Sequence, residues 1–262
     1  TGAVSRRNIR VDARIALQPA YVLHRTPFQN TSFIVDFFTV DYGRVRAVAK
    51  GARGAKSRSR SILQPFQPLL ISLSGRSDLK TLTGVEPMHE ALRLEATRLF
   101  SGLYVNELLA RLLQDHEEHR ALFGFYQDTL VSLQGISRID SVLRHFELSL
   151  LSELGYGLNL ESECDLQNEI SATEYYRFDA QRGFSLVSRA SSSEQNRAGS
   201  HNHAHHGEAL YPGSAIIALR EADFDAPENA KFAKHILRRA LAEHLGTKPL
   251  NSRSLFVSRT RP

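Results

Sequence analysis

The sequence is poor in the residues that build cross-links and membrane anchors. It contains one cysteine, Cys164, and no tryptophan among its 262 residues. A single thiol excludes an internal disulfide and a zinc site made from paired cysteines. No apolar run approaches the roughly 20 residues that a helix needs to span a bilayer, and the basic start lacks the hydrophobic core of a signal peptide. We therefore expect a cytoplasmic protein without membrane contact.

Charge is distributed unevenly along the chain. The net charge is +5, but residues 1–78 carry +9, residues 79–228 carry −11 and residues 229–262 carry +7. A polyanion would be attracted to the two basic ends and would avoid the acidic middle, unless folding brings the ends together.

Residues 15 to about 90 show the short, alternating apolar runs that are typical of strands. Strands are predicted at residues 16–25, 32–39, 44–50, 69–74 and 79–83. In the third, small apolar residues alternate with Arg44, Arg46 and Lys50, so one face of the sheet is basic. Five short strands in about 75 residues favour a closed or partly open barrel of the OB type.

After Glu90 the apolar residues recur at helical spacing. Helices are predicted from Glu90 to about residue 113, near residues 119–133, over residues 139–154 and from Pro227 to Gly246, with strand candidates at residues 175–178 and 183–187. We therefore expect an α+β fold: an N-terminal OB-fold barrel at residues 15–90 and a mainly helical domain at residues 91–262. The second domain carries a small irregular β insertion and a polar loop at about 191–207, and residues 1–14 form a disordered or artificial extension.

The strongest local feature is a basic stretch with no acidic residue between Asp41 and Asp78. Its glycines allow close approach of a polyanion, and its cations can neutralise several phosphates at once. The alternative is a solvated basic loop, but the neighbouring barrel pattern favours nucleic acid. The candidate DNA-binding residues are Arg44, Arg46, Lys50, Arg53, Lys56, Arg58 and Arg60.

Nearby aromatic residues could stack on bases, as in OB folds that bind single strands. We expect most of them to belong to the barrel core, with Tyr42 in a turn as the best exception. The residues considered are Phe33, Phe37, Phe38, Tyr42 and Phe66.

A second basic segment lies near the end of the chain. Lys231, Lys234 and Arg238 share one face of a predicted helix, and Arg253 follows it. They form a possible second DNA surface. The alternative is that cations near a helix C-terminus favour its dipole, which does not explain the residues beyond Gly246.

No catalytic motif is visible, so we expect neither an enzyme nor a cofactor. Phosphate-binding loops, zinc-protease motifs and nucleophile elbows are all missing from the sequence. Four histidines between His201 and His206 could bind a metal, but they lie in a polar stretch with no cysteine nearby. We predict no biological metal site there.

Several short blocks, in order along the chain, resemble the bacterial RecO family of recombination mediators. They extend over about residues 15 to 257, and together they are specific although each alone is weak. The blocks are Ala20–Arg25, Phe38–Val45, Ala49–Arg53, Leu63–Leu69, Tyr104–Leu108, Arg144–Leu148, Leu154–Gly157 and Lys248–Arg253.

The resemblance implies a nucleoid-associated protein without catalytic turnover that binds single- and double-stranded DNA and anneals complementary strands. It also implies help, with the partner RecR, in loading RecA onto DNA coated by single-stranded-DNA-binding protein. By position, Arg46 and Lys50 fall where the family contacts RecR and DNA.

Arg144 falls where the family's helical domain meets the acidic tail of single-stranded-DNA-binding protein. An apolar pocket with a cation at its rim would suit such a tail. The alternative for Arg144 is a helix-surface salt bridge with Asp140 or Glu147.

The chain departs from the family in two respects. The stretch at 191–207 looks like an insertion, and its histidines do not restore a zinc motif. The other departure concerns the zinc site itself. Some members hold zinc with four cysteines after the block that ends at Gly157, where this sequence has only Cys164. We predict no such site. Two other functions stay open: an adaptor whose basic surfaces dock acidic protein segments, and an RNA-binding OB-fold protein.

Overall fold

A computed structural model describes residues 14–187 and 209–257 of the chain. The predicted polar loop at 191–207, the histidines within it and nearly all of the predicted N-terminal extension lie outside these residues. The described part forms two compact units. The first contains the residues up to Ile139 together with those from Lys248 onward, and the second contains Asp140–Thr247.

Five strands of the first unit close into a barrel in the order β1-β2-β3-β5-β4. Adjacent strands are antiparallel, except that β3 and β5 run parallel. A short helix, α1 (Arg58–Ile62), lies between β3 and β4 along the chain. The predicted OB-like barrel is confirmed, with strands β1 (Arg14–Phe28), β2 (Ser32–Thr39), β3 (Gly43–Ala49), β4 (Leu69–Ser74) and β5 (Leu79–Pro87).

Alternation within the strands fills the barrel. Val35, Phe37 and Val45 are fully buried in its core, and each such side chain stabilises the fold by about 1.5–3 kcal/mol relative to exposure. Phe33 belongs to this core, as predicted. Phe38 and Phe66 are buried outside it: Phe38 contacts Phe123 and Tyr126, and Phe66 lies beside Gly102. Tyr42, expected to stand apart in the turn, is partly buried and packs against the same core.

The described residues contain six further helices. The first two and the last belong to the first unit, and the other three to the second. The helices are α2 (Ala96–Leu112), α3 (Arg120–Gln134), α4 (Ile139–Glu153), α5 (Gly213–Arg220), α6 (Pro227–Leu245) and α7 (Ser252–Val257).

The first helix after the barrel begins later than its apolar spacing predicts. Helix α2 starts at Ala96, because the backbone before it bonds back to the barrel. The amides of Met88 and Leu92 donate to the carbonyls of Pro68 and Phe66 at 2.9 and 3.1 Å. These donors are therefore not available to a helix.

None of the helices in the described ranges has the length and hydrophobicity that a membrane crossing requires.

A buried amide joins α2 and α3 to the barrel wall. Asn106 is 2% exposed, and its Nδ2 donates to the carbonyls of Val22 and Leu23 at 3.2 and 3.3 Å. Its Oδ1 accepts a hydrogen bond from Tyr126 Oη at 2.8 Å. Because every polar atom of this amide has a partner, the cost of burying it is offset and the helices are fixed in position.

The second unit combines helices with a small sheet of order β7-β6-β8. Its strands are β6 (Tyr175–Asp179), β7 (Gly183–Leu186) and β8 (Leu210–Pro212), and all pairs are antiparallel. Helix α6 ends at Gly246, whose φ of 68° favours glycine. The predicted helical region with a small strand insertion is confirmed.

Candidate nucleic-acid interface

A loop of the barrel, residues 50–60, presents five exposed cations. It follows β3 and runs into α1, and its backbone is held in place. Arg53 donates its amide to Thr31 at 2.8 Å, and the buried Ala52 anchors the turn in the barrel core. None of the five has a carboxylate partner within the described part of the chain. The set, called here the barrel loop cations, consists of Lys50, Arg53, Lys56, Arg58 and Arg60.

Arg25 holds the end of this loop through hydrogen bonds, a role that its sequence pattern does not indicate. Its guanidinium donates to the carbonyls of Arg60 and Leu63 at 3.3 and 2.8 Å and to Gln64 Oε1 at 3.0 Å. It also lies 5.0 Å from the centre of the Phe33 ring. Burial, and then the charge of Arg60, lower the pKa of Arg25. Arg25 thus fixes the end of the loop, and the charge facing solvent comes from the loop itself.

Arg44 and Arg46 lie on the basic face of β3, as predicted, but carboxylates hold both of them. Arg44 Nη2 is 2.9 Å from Asp36 Oδ1, and Arg44 Nη1 is 3.5 Å from Asp115 Oδ1. Arg46 Nη2 is 3.0 Å from Asp115 Oδ2. These two cations therefore differ from the barrel loop cations, since their charge is partly neutralised within the protein.

The linker between α2 and α3 brings Asp115 to this position. The amide of His116 donates to the carbonyl of Arg44 at 2.9 Å. Gly43 has a φ of +56°, and a Cβ added there would lie 1.7 Å from the carbonyl oxygen of Glu117. Only glycine allows this close approach of the linker to β3.

The C-terminal segment returns to the barrel unit. Arg111 donates to the carbonyls of Lys248 and Pro249 at 2.7 and 3.2 Å. The two carboxylate oxygens of Glu107 accept hydrogen bonds from the amides of Asn251 and Ser252, both at 2.8 Å. Burial raises the pKa of Glu107, but these bonds and the charge of Arg111 outweigh it, so the pKa is lowered.

Folding thereby brings cations from the two basic ends of the sequence together. An open cavity of about 570 Å³ is lined by Arg44 of β3 and by Lys248 of the C-terminal segment. Arg253, one of the predicted second-surface residues, is exposed in the same unit.

The other predicted second-surface residues lie in the second unit. Lys231 and Arg238 are exposed on α6. Lys234 Nζ is 3.4 Å from Asp140 Oδ1, a partly exposed pair worth under about 1 kcal/mol. The DNA-binding role of this face stays a prediction.

Arg144 pairs with Glu147, as the alternative predicted, but the pair is buried and does not lie on the helix surface or on a pocket rim. The side chain is 2% exposed, and Nη2 bonds to Glu147 Oε1 at 2.6 Å. Glu147 is fully buried, and Arg144 Nε and Nη1 have no hydrogen-bond partner in the described ranges. The expected surface position was wrong because α4 directs both side chains of this i,i+3 pair into the unit's interior.

Comparisons with known proteins agree with this architecture. Residues 14–91 match the family profile "Recombination protein O N terminal", and residues 93–254 match "Recombination protein O C terminal". A DNA repair protein RecO of Coxiella burnetii (strain RSA 331 / Henzerling II) is 40% identical over 243 residues, which cover 93% of this chain and 98% of the relative. A DNA repair protein RecO of Cellvibrio japonicus is 38% identical over 244 residues, covering 93% and 98%. One of Methylococcus capsulatus is 38% identical over 246 residues, covering 94% and 95%. With both halves matched and relatives aligned over nearly their whole length, the chain belongs to the recombination protein O family.

Proposed function

We propose that this protein acts in DNA repair and homologous recombination by binding DNA at the barrel loop cations. The observation that carries the proposal is that these five cations are exposed on an anchored loop without a carboxylate partner among the described residues. Exposed arginines and lysines attract the phosphate backbone and release its counterions. Such binding positions a strand without reading its sequence.

This chemistry suits the annealing of complementary strands. Two strands approach only if the repulsion between their backbones is screened, and they pair only if their bases stay accessible. A basic surface that holds backbones meets both needs, whereas a pocket that reads bases would hinder pairing. We therefore propose annealing by binding alone, on single- and double-stranded DNA, with no catalytic turnover.

The finer role of a recombination mediator follows as part of the same proposal. With RecR, the protein helps load RecA onto DNA coated by single-stranded-DNA-binding protein, near the bacterial nucleoid. Arg46 and Lys50 form part of the surface for DNA and RecR, within a DNA-binding domain at residues 15–90. The helical domain at residues 91–262 supplies a second DNA surface and receives the acidic tail near Arg144. That guanidinium is buried against Glu147, so a tail carboxylate reaches it only if the packing around α4 opens.

An annealing assay tests the proposal. The variant Lys50→Gln, Arg53→Gln, Lys56→Gln is compared with wild type on complementary, fluorescently labelled DNA strands. We expect annealing by wild type and its loss in the variant. Arg182→Gln is the control for lost charge, because Arg182 is 70% exposed and pairs with Asp165 in the second unit.

Two further measurements separate the proposal from its rivals. If the triple variant anneals DNA like wild type but no longer binds polyglutamate, the basic loop docks acidic protein segments instead. If wild type binds matched RNA strands much more tightly than DNA, the protein acts on RNA.

A further inference from the structure

Arg44 and Arg46 form a pair of guanidiniums that grips one carboxylate across a short distance. The two oxygens of Asp115 lie 3.5 Å from Arg44 Nη1 and 3.0 Å from Arg46 Nη2. The contact of Arg44 is an ion pair without a hydrogen bond, since Asp115 Oδ1 has no hydrogen-bond partner among the described residues. Two neighbouring guanidiniums can likewise receive the two free oxygens of a backbone phosphate, because arginine pairs with phosphate as it does with carboxylate.

Backbone contacts of the linker hold Asp115 beside β3, in addition to the ion pairs of its carboxylate. Arg44 and Asp115 form a β-bridge, and the His116 amide bonds to the carbonyl of Arg44. The carbonyl of Glu117 occupies the space that a side chain at Gly43 would fill. Asp115 therefore acts as an internal ligand of the two arginines on β3.

The guanidinium pair is also accessible to a competing ligand. The Arg46 side chain is 42% exposed and that of Asp115 is 27% exposed. The Nε of Arg46 is buried without a hydrogen-bond partner among the described residues, so the contact with Asp115 leaves part of this guanidinium unsatisfied. Arg44 also donates two hydrogen bonds to Asp36, at 2.9 and 3.3 Å, which do not involve Asp115.

We propose that Arg44 and Arg46 form a phosphate-binding site for the DNA backbone, and that Asp115 occupies this site until a strand displaces it. The inference rests on the proposed DNA binding and adds a regulated contact to it. The barrel loop cations make the first contact, and the strand then competes with Asp115 for the guanidinium pair. Asp115 thereby limits the affinity of the free protein for DNA.

Removing the Asp115 charge tests the site. One phosphate contact that no longer competes with Asp115 is worth about a fivefold gain in affinity at 0.1 M salt, from a logarithmic salt slope of about 0.7 per contact. We expect Asp115→Asn to show this gain with a labelled oligothymidylate. Glu118→Gln is the matched control, since Glu118 lies in the same linker but pairs with Arg120 at 2.8 Å. It loses the same charge and should change the salt slope little.

A second pair of variants tests the inference even if Asp115→Asn folds poorly. In the wild-type background, Arg46→Gln should weaken binding less than twofold because Asp115 masks Arg46, whereas Lys50→Gln should weaken it about fivefold. Equal losses at the two positions, or equal gains from Asp115→Asn and Glu118→Gln, would overturn the inference while wild-type DNA binding still stands. If none of the proteins binds DNA at any salt concentration, the proposed function itself fails and the phosphate site fails with it.

Discussion

The salt dependence of DNA binding measures directly how many barrel loop cations meet phosphates. The perturbation is replacement of each cation by glutamine, singly and together. Glutamine is shorter than lysine and arginine, but it keeps a polar end and removes the charge. The five positions are exposed and unpaired with carboxylates among the described residues, so the folded state should tolerate these changes within about 0.5 kcal/mol.

The expected magnitude follows from counterion release. If each of the five cations neutralises one phosphate of a single strand, the logarithmic slope of affinity against salt is about −3.5, at about −0.7 per phosphate. Affinity then falls about 100-fold between 50 and 200 mM salt. Each single substitution makes the slope shallower by about 0.7, and the fivefold variant should lose nearly all of the dependence that arises from this loop.

Fluorescence anisotropy with a labelled oligonucleotide gives the slope, and two sequences of equal length show whether base identity matters. We expect equal slopes for the two sequences and an unchanged slope for Arg182→Gln. A wild-type slope near zero, or a full slope in the fivefold variant, would refute the assignment of phosphate contacts to this loop.

Four further predictions concern stability. Gly43→Ala places a Cβ against the Glu117 carbonyl at a positive φ, so urea unfolding should show a loss of about 2 kcal/mol or more. Asn106→Leu removes the hydrogen-bond partner of the Val22 carbonyl and of the Tyr126 hydroxyl, both buried. The free energy of unfolding should therefore fall by about 1–3 kcal/mol or more in the same assay. Glu107→Gln should lower Tm most at neutral pH. Arg144→Gln removes the cation that pairs with the buried Glu147 carboxylate and should cost about 3–5 kcal/mol.

The pH dependence of the Glu107 effect has a definite sign. The pKa of this carboxyl in the folded protein is lowered from its ordinary value of 4.5, so its contribution to stability is complete above that value. It is lost as the pH falls through the folded pKa. The gap in Tm between wild type and Glu107→Gln should therefore shrink in acid, and a gap that widens there would contradict the assigned hydrogen bonds.

The Arg144 prediction has its own control. Replacing both members of the pair, with Arg144→Met and Glu147→Gln, removes both buried charges and should recover much of the stability that Arg144→Gln loses. Binding of an acidic tail peptide can then be measured on a folded protein. Equal stability of Arg144→Gln and wild type would contradict the burial of this pair.

The barrel could be predicted from sequence because buried residues alternate along strands such as β3 and β4. β2 and β3 were predicted within one residue at each end, since the apolar residues around Val45 recur with a period of two. The start of α2 could not be predicted in this way. Leu92 has helical spacing, but its amide bonds to Phe66, a partner that is distant along the chain.

The charged residues show the same division between local and distant causes. The exposure of Lys50 and Arg53 follows from a turn that local sequence signals. The pairing of Arg46 with Asp115 and the burial of Arg144 depend on packing between segments. Hydrophobic spacing carries no information on which carboxylate a given arginine meets, so these contacts required the structure.

The hydrogen bonds that tie Glu107 and Arg111 to the C-terminal segment have a consequence for folding during translation. Because residues 248–252 complete the barrel unit, this unit cannot be finished when its strands leave the ribosome. It must wait for the second unit to be translated. In nascent chains stalled before Lys248, the surface of α2 that this segment covers should consequently be exposed to chaperones and proteases.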